Sequence, residues 1–243
     1  MRVPRFYVSQ PFSVGQECVL PDTTFRHAIQ VLRLGVGEPL ILFNGEGGEY
    51  VAHMSHISKR TASVLIDSFS AIDTESPVHL TLVQAVIKPD KMDFALQKAV
   101  ELGANTIQPL ITHRSVVRVG KEQVDKKLQH WEGIVVAACE QSGRTRMPTV
   151  QAPLTLERWL ETPCVGTRII LAPGDFPRIH ALSSELPTPI ALLIGPEGGF
   201  TDAEVETCVQ AGVMPVSLGP RILRAETASS AALALLQHRF GDL

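Results

Sequence analysis

The chain is poor in cysteine, and what cysteine it has shows no pattern. The 243 residues contain four cysteines, far apart, with no CxxC pair, and the eight histidines show no ligand spacing. Zinc sites and the disulfide frameworks of small secreted proteins need clustered cysteines or histidines. We therefore expect no metal site and a reduced, cytoplasmic setting.

Long apolar runs and an excess of positive charge are also missing. No run approaches the length of a membrane span, and MRVPRFYVSQPF lacks the apolar core of a signal peptide. The net charge is −3, so a nucleic-acid partner would have to be bound by local basic patches. Neither GxGxxG after a strand, nor GxxxxGK[ST], nor a G-x-S-x-G elbow occurs, which disfavours dinucleotide binding, P-loop nucleotide binding and a serine nucleophile.

Residues 1–72 have the pattern of a small β-domain. Short apolar or alternating runs are separated by turn signals such as NGEGGE and SKRT. One helix is predicted over DTTFRHAIQVLRL, with Asp22 as its N-cap and Gly35 as its stop. This pattern predicts a small barrel, and the polar segment DTESP that follows is predicted to be a linker.

Residues 73–243 change to alternating strands and helices. HLTLVQAVI, TIQPLIT, RIILA, IALLIG and PVSLG are predicted strands, and PDKMDFALQKAVELG and EQVDKKLQHWEGIVVAACEQ have apolar stripes at helical spacing. Strands that alternate with helices indicate a largely parallel sheet that is covered on both faces. The fold class is therefore α/β, preceded by the small barrel.

Two similar stretches end two of these strands, which we take to be neighbours. LLIGPEGGF (Leu192–Phe200) and LGPRILRAETA (Leu218–Ala228) each pass from apolar residues to Gly-Pro, with a glutamate close behind. Thr201 and Glu204 predict a capping box for the helix after the first stretch. Loops at the carboxyl ends of parallel strands are where open α/β sheets bind ligands. The alternative is that each Gly-Pro pair only makes a tight turn.

Together the two stretches resemble the RsmE family of ribosomal RNA uridine N3-methyltransferases, in the SPOUT superfamily. The resemblance extends over the whole chain, through MRVPRFYV, VLRLGVGEPLILFNG, KMDFALQKAVELGANTIQPLITHRS, AACEQSGR and RFGDL. Only LAPGDFPRIH matches loosely, so the contacts of residues 172–180 stay open. The resemblance implies a PUA-like β-barrel that binds RNA, residues 1–72, and a SPOUT methyltransferase domain with a trefoil knot, residues 73–243.

The resemblance also implies a cofactor, S-adenosylmethionine, held between the two stretches. The residues expected to bind it are Leu193, Gly195, Glu197 and Gly198 in the first stretch and Leu218, Gly219, Leu223 and Thr227 in the second. Leucine and glycine suit this role, since adenine needs an apolar slot with a few backbone hydrogen bonds. We expect Glu197 and Glu226 to fix the loops by accepting backbone N–H bonds; the alternative is that Glu197 senses the sulfonium charge.

The family-matched segments also carry candidate catalytic and RNA-binding residues. We expect Arg144, with Arg114 second, to stabilise the uracil anion, and water or Glu140 to take the proton. The candidates for RNA binding are Arg2, Arg5, Arg26, Arg33, Arg118, Lys121 and Arg146. Arginine suits phosphate because its guanidinium is a planar fork. The alternative is ordinary solvated surface charge.

The resemblance implies methylation of N3 of a specific uridine in 16S ribosomal RNA by a homodimer, with the rRNA or the small ribosomal subunit as partner. A SPOUT ribose 2′-O-methyltransferase is the alternative enzyme. Two further classes are a non-catalytic RNA-binding protein that uses the barrel alone and a nucleotide-dependent metabolic enzyme. The intact cofactor loops disfavour the former, and the missing glycine fingerprints disfavour the latter.

Overall fold

A computed structural model describes residues 3–115, 121–183 and 185–243. The chain forms two compact units. The first comprises Met1–Glu75 and Cys139–Met147, and the second comprises Ser76–Ala138 and Pro148–Leu243. The first unit thus includes a short segment from the middle of the chain, Cys139–Met147. A division into residues 1–72 and 73–243 places this segment in the second domain. The functional division at residue 72 stays a prediction.

The first unit is built on one twisted sheet. Its elements are β1 (Arg5–Tyr7), β2 (Glu17–Val19), α1 (Asp22–Phe25), β3 (Pro39–Phe43), β4 (Glu49–Ile57) and β5 (Ala62–Ser70). In the described residues the strand order is β1-β3-β4-β5-β2. The β1–β3 pair is parallel and the other pairs are antiparallel. Alternate residues such as Leu40 and Leu42 turn into a buried apolar core with Phe6, Met54 and Ile66.

The helix of this unit is shorter and less regular than predicted. Asp22 is the first helical residue, and Pro21 occupies the N-cap position that we expected Asp22 to hold. After Phe25 the chain continues as a π-helical turn, Arg26–Val31, in which Leu32 donates its N–H to the carbonyl of His27. The helical segment therefore ends before Gly35.

The second unit is a parallel α/β structure. Its elements are β6 (Leu80–Ala85), α2 (Pro89–Glu101), β7 (Ala104–Ile111), α3 (Val124–Ser142, whose last residues belong to the first unit), β8 (Thr149–Val150), β9 (Leu154–Thr155), α4 (Leu156–Leu160), β10 (Thr167–Leu171), β11 (Ile190–Ile194), α5 (Asp202–Gln210), β12 (Met214–Val216) and α6 (Ala225–Phe240). In the described chain the strand order is β12-β10-β11-β6-β7-β8, with β9 beside β7. Every one of these pairs is parallel.

The strands that end in Gly-Pro are not neighbours, contrary to the prediction. β10 lies between β11 and β12, so the connection through α5 passes over one strand. Adjacent strands lie about 4.8 Å apart, which puts the ends of β11 and β12 about 10 Å apart. The loop that leaves β10 therefore starts between the ends of β11 and β12.

Helix α6 packs closely on its own unit through small residues. Ala228, Ser229 and Ala232 are buried, and the Ser229 hydroxyl donates to Gln84 Oε1 of β6 at 2.6 Å. Near the other end of the helix, Gln237 Nε2 donates to the carbonyl of Leu102 at 2.8 Å. Because small side chains let a helix backbone approach its neighbour, these residues fix α6 against β6 and α2. Among the helices within the described residues, none is both long and apolar enough to cross a membrane.

Candidate active site

The loop after β11 is a tight turn held at both ends. Gly199 donates its N–H to the carbonyl of Pro196 at 2.8 Å and adopts a φ of +68°. The predicted capping box is present: Glu204 N–H donates to Thr201 Oγ1 at 3.1 Å, and Thr201 N–H donates to Glu204 Oε2 at 2.8 Å. Strand and helix therefore fix the position of the backbone between them.

Glycines leave part of this loop as bare backbone. A Cβ atom on Gly195 would lie 3.1 Å from the backbone nitrogen of Phe200, and one on Gly198 would lie 3.3 Å from Cδ of Arg114. Contacts this short require the neighbouring groups to shift, so a side chain at either position would fill the loop. Leu193, one residue before the end of β11, is fully buried and belongs to the apolar wall beneath.

The loop after β12 has the same character. Gly219 adopts a φ of +144°, in the region that side chains rarely adopt. Leu218 and Leu223 are half-buried, and Thr227, in the first turn of α6, is exposed. Apolar side chains beside bare backbone match the flat surface of an adenine ring, so the residues present fit the predicted cofactor.

The loop after β10 supplies a third wall, which the sequence analysis left open. Ser217 donates its N–H to the carbonyl of Pro177 at 2.9 Å, and Ile179 donates its N–H back to the carbonyl of Ser217 at 3.1 Å. The Arg178 guanidinium lies beside Gly219, since a Cβ on Gly219 would be 3.3 Å from Arg178 Nη1. The divergent segment thus borders the second Gly-Pro loop.

Both glutamates behind the Gly-Pro pairs bind the same short segment, which we call the Lys88–Lys91 turn. Glu197 Oε1 accepts the backbone N–H of Lys88 at 3.1 Å, and Glu226 Oε1 lies 3.4 Å from Nζ of Lys91. Glu197 thus accepts a backbone N–H as predicted, whereas the described partner of Glu226 is a lysine side chain. The turn follows β6 and begins α2, so one element holds both loops.

Lys88 and Lys91 are not among the site residues predicted from the sequence. The signal that points to them is a predicted strand, HLTLVQAVI, followed at once by Lys-Pro and a helix. Proline at the first helical position marks a strand-to-helix loop, and such loops lie at the ligand-binding edge of a parallel sheet. Glu197 and Glu226 could be selected from the motifs. That both contact the Lys88–Lys91 turn depends on the strand order, which the motifs do not give.

Arg114 joins the loop after β7 to the same edge. Its Nη1 donates to the carbonyls of Gly198 at 2.8 Å and Phe200 at 3.3 Å. Next to it, His113 donates its backbone N–H to Glu204 Oε1 at 2.8 Å. Arg114 is thus a predicted catalytic residue that lies against the first Gly-Pro loop.

Arg144 and Glu140 belong to the first unit. Arg144 forms a two-pronged ion pair with Glu75, with Nε to Oε1 at 3.0 Å and a second contact from Nη2 to Oε2. The two side chains are only 6% and 10% exposed, so this pair is a buried part of the unit. The role of Arg144 at a uracil stays a prediction, and it requires the guanidinium to reach beyond this pair.

Glu140 anchors the first strand of the first unit. Its Oε1 accepts the backbone N–H of Tyr7 at 3.0 Å, and His27 Nδ1 lies 4.0 Å from its Oε2. Burial raises the pKa of the Glu140 carboxyl, and the Tyr7 hydrogen bond, His27 and Arg5 only partly offset this effect. A carboxyl with a raised pKa holds a proton more readily than an exposed one.

The predicted RNA-binding residues differ in their surroundings. Arg5 is occupied within the first unit, where it pairs with Glu49 and donates to the carbonyl of Arg144 at 3.2 Å. Arg26 and Arg33 are exposed, and Arg146 is half-exposed, 3.7 Å from Asp73. Arg2, Arg118 and the side chain of Lys121 lie outside the described residues. Their contacts with RNA stay predictions.

Two buried cysteines stay protonated at neutral pH. Burial raises the pKa of the Cys139 thiol to about 12 and that of Cys208 to about 11, so neither supplies a thiolate nucleophile. Among the described residues, no group of three or more His, Cys, Asp and Glu side chains is arranged to hold a metal ion.

Family models match both units of the chain. An RNA methyltransferase domain matches residues 74–237, and an RNA methyltransferase PUA domain matches residues 20–67. The chain belongs to the RNA methyltransferase family. Both Gly-Pro loops lie within the matched methyltransferase domain, and the predicted recognition, a member of the RsmE family of ribosomal RNA methyltransferases, is confirmed by these matches and by the relatives.

Relatives of this methyltransferase match over its full length. Ribosomal RNA small subunit methyltransferase E of Buchnera aphidicola subsp. Schizaphis graminum is 35% identical, over 100% of this chain and 98% of that protein. The protein of the same name from Neisseria gonorrhoeae, solved with S-adenosyl methionine bound, is 38% identical with a TM-score of 0.92 over 100% of both chains. A Legionella pneumophila protein solved with its cofactor SAM is also 38% identical, with a TM-score of 0.96 over 100% of both chains.

Substitutions of Glu197 test whether its carboxylate fixes the loop through a hydrogen bond or acts on the sulfonium through its charge. We expect Glu197→Gln to bind S-adenosylmethionine as the unsubstituted protein does, because a Gln Oε1 still accepts the Lys88 N–H. Glu197→Ala should weaken binding roughly three- to tenfold, since it removes that acceptor. Isothermal titration calorimetry measures both. If Glu197→Gln binds as weakly as Glu197→Ala, the carboxylate acts through its charge and loop fixing is wrong.

Glu140 predicts a pH dependence of stability. A raised carboxyl pKa in the folded state means that the folded protein binds more protons than the unfolded one in the window from the ordinary value, 4.5, up to the raised value. The Glu140 contribution to stability therefore falls as pH rises through this window. Glu140→Gln, which keeps the Tyr7 acceptor, should gain stability relative to the unsubstituted protein as pH rises, measured by urea unfolding. A difference that is independent of pH would contradict this.

Proposed function

We propose that this protein transfers the methyl group of S-adenosylmethionine to N3 of a specific uridine in 16S ribosomal RNA of the small subunit. One observation carries the proposal: the two Gly-Pro loops lie at one edge of a parallel sheet and both contact one segment, the Lys88–Lys91 turn. The names of the relatives support the rRNA substrate. The N3 position rests on the family resemblance.

The cofactor is proposed to bind between the loops after β11 and β12. Leu193, Gly195 and Gly198 line one side, and Glu197 holds that side in place. On the other side are Leu218, Gly219, Leu223 and Thr227. The bound cofactor supplies a methyl group that is already activated by the positive sulfur. The chain has to orient the acceptor, exclude water and stabilise the charge that develops.

The acceptor requires a proton to leave N3 of uracil. In a paired helix N3 lies inside the base pair, so the target uridine has to be unpaired or flipped out. An arginine beside O2 or O4 favours the anionic ring. Arg114 is proposed for this role because it lies against the first Gly-Pro loop, and Arg144 is the second candidate. Water or Glu140 takes the proton.

Several finer features of the protein are proposed on the family resemblance. They are a trefoil knot in the second unit, RNA binding by the PUA-like domain of residues 1–72, methyl transfer by residues 73–243, a homodimer and a cytoplasmic location. Exposed Arg26, Arg33 and Arg146 are proposed to contact RNA phosphates, with Arg2, Arg5, Arg118 and Lys121 as further candidates.

Methylation of rRNA tests the proposal directly. Small ribosomal subunits from cells that lack this protein are incubated with the purified protein and S-adenosylmethionine, and the rRNA is digested to nucleosides for mass spectrometry. We expect 3-methyluridine to appear with the unsubstituted protein. The matched control is Gly219→Val, whose side chain intrudes on the loop, and it should give no 3-methyluridine. Methylation of a ribose 2′-oxygen would instead establish the alternative enzyme, and no methylated nucleoside would overturn both.

The same assay, run as a single turnover at saturating subunits, separates the two arginines. If Arg114 stabilises the uracil anion, Arg114→Lys should lower the rate, with a smaller loss at high pH where the imide ionises unaided. Arg144→Lys should show this pattern only if Arg144 takes that role. If a variant binds the subunit more weakly but keeps the rate and the pH profile at saturation, the substituted arginine has no part in the chemistry.

A further inference from the structure

A cavity of about 380 Å³ opens between α2 and α3, beside the Lys88–Lys91 turn. Its floor is apolar and comes from Val86, Ile87 and Met92, at the end of β6 and the start of α2. The Trp131 indole of α3 forms one wall. The volume lies in the range of small-molecule sites, and none of these residues belongs to the Gly-Pro loops.

The rim of the cavity is polar and carries more positive than negative charge. Lys126 and Lys127 of α3 lie on it, and Lys127 Nζ is 6.0 Å from the Trp131 ring centroid. The acidic residue on the rim, Asp93, is paired with His130, with Nε2 to Oδ1 at 2.8 Å. The two lysines thus outnumber the one carboxylate among the lining residues, which favours an anion at this rim.

This combination matches one nucleotide. The base of a nucleotide is a flat ring that binds apolar floors and aromatic walls, and its phosphates bind lysines. Lys126 is exposed, so its charge lies at the mouth and not at the bottom of the cavity. A nucleotide bound here has its phosphates at the surface, where a nucleic-acid strand can continue in both directions.

The position of the cavity ties it to the candidate active site. β6, whose end forms the floor, pairs with β11, which carries the first Gly-Pro loop. The Lys88–Lys91 turn borders the cavity through Pro89 and binds both loops through Glu197 and Glu226. A nucleotide in the cavity therefore lies beside the element that orients the loops.

We propose that this cavity binds one unpaired nucleotide of the RNA substrate, with the base on the Val86, Ile87 and Met92 floor and a phosphate at Lys126 and Lys127. This inference rests on the proposed function, because it takes RNA as the substrate. It adds a binding site on α2 and α3 to the basic residues selected from the sequence.

Trp131 provides a direct probe. The chain has two tryptophans, and Trp159 lies in a separate buried cluster, stacked under Arg168 at 4.1 Å. In Trp159→Phe the fluorescence therefore reports Trp131 alone. We expect a single-stranded oligouridylate to change this emission saturably. In the same background Lys126→Ala should weaken the binding and reduce the slope of log K against log salt by about 0.7, the value for one phosphate contact of a single strand.

Controls and probes separate the outcomes. Arg158→Ala removes an exposed cation of α4 outside the cavity and should leave the slope unchanged. RNA binding without a change in Trp131 emission, or an unchanged slope in Lys126→Ala, would overturn the proposal. Uridine 5′-monophosphate that binds as tightly as the oligouridylate would also overturn it, in favour of a free-nucleotide site.

Calorimetry with S-adenosylmethionine distinguishes this proposal from the proposed function. If the cofactor binds the unsubstituted protein and Lys126→Ala equally but Trp131 does not respond to RNA, only the cavity assignment fails. If the cofactor does not bind the unsubstituted protein, the proposed function fails. A change in Trp131 emission on adding RNA would then still show that RNA binds at the cavity.

Discussion

Two carboxylates that bind the Lys88–Lys91 turn, one at its backbone and one at a lysine side chain, connect the loops of the candidate active site. Glu197 accepts the N–H of Lys88, and Glu226 pairs with Nζ of Lys91. The Glu226 side chain is only 10% exposed, and a carboxylate this buried is costly without a partner. Each Gly-Pro loop thus has a contact with the start of α2, so α2 links the two loops although β10 separates their strands.

The remaining loops of this edge extend the same network. Arg114 attaches the end of β7 to the first Gly-Pro loop, and Ser217 attaches the segment after β10 to the second. Capping of α5 by Thr201 and Glu204 fixes the chain where the first loop ends. Hydrogen bonds thus position loops whose glycines contribute no side-chain packing of their own. A site preorganised in this way loses little conformational entropy when a ligand binds.

Much of this could be predicted from the sequence because the signals are local. The change from alternating runs to helical stripes predicts the β-unit and the parallel α/β unit, and Thr201 with Glu204 predicts a cap that the structure confirms. The order of β10, β11 and β12 could not be predicted in this way, because the sequences of these apolar parallel strands do not indicate which strands pair. For the same reason Lys88 and Lys91 did not stand out.

The contacts that each selected arginine makes were harder to predict than the segments in which the arginines lie. Arg144 and Arg5 stand in segments that resemble the family, yet charge and motif alone do not distinguish a guanidinium that faces RNA from one that pairs with a buried glutamate. The structure gives Arg144 the partner Glu75 and gives Arg5 the partner Glu49. Both partners are distant in sequence, so the pairing depends on the fold. Arg114 was selected by the same reasoning and lies against the first loop.

Backbone hydrogen–deuterium exchange with and without S-adenosylmethionine tests most directly whether one segment unites the two loops. The account predicts that the cofactor slows exchange in residues 195–201, in residues 217–226 and in the Lys88–Lys91 turn together, at the same cofactor concentration. Slower exchange in one loop alone, with the turn unchanged, would contradict it.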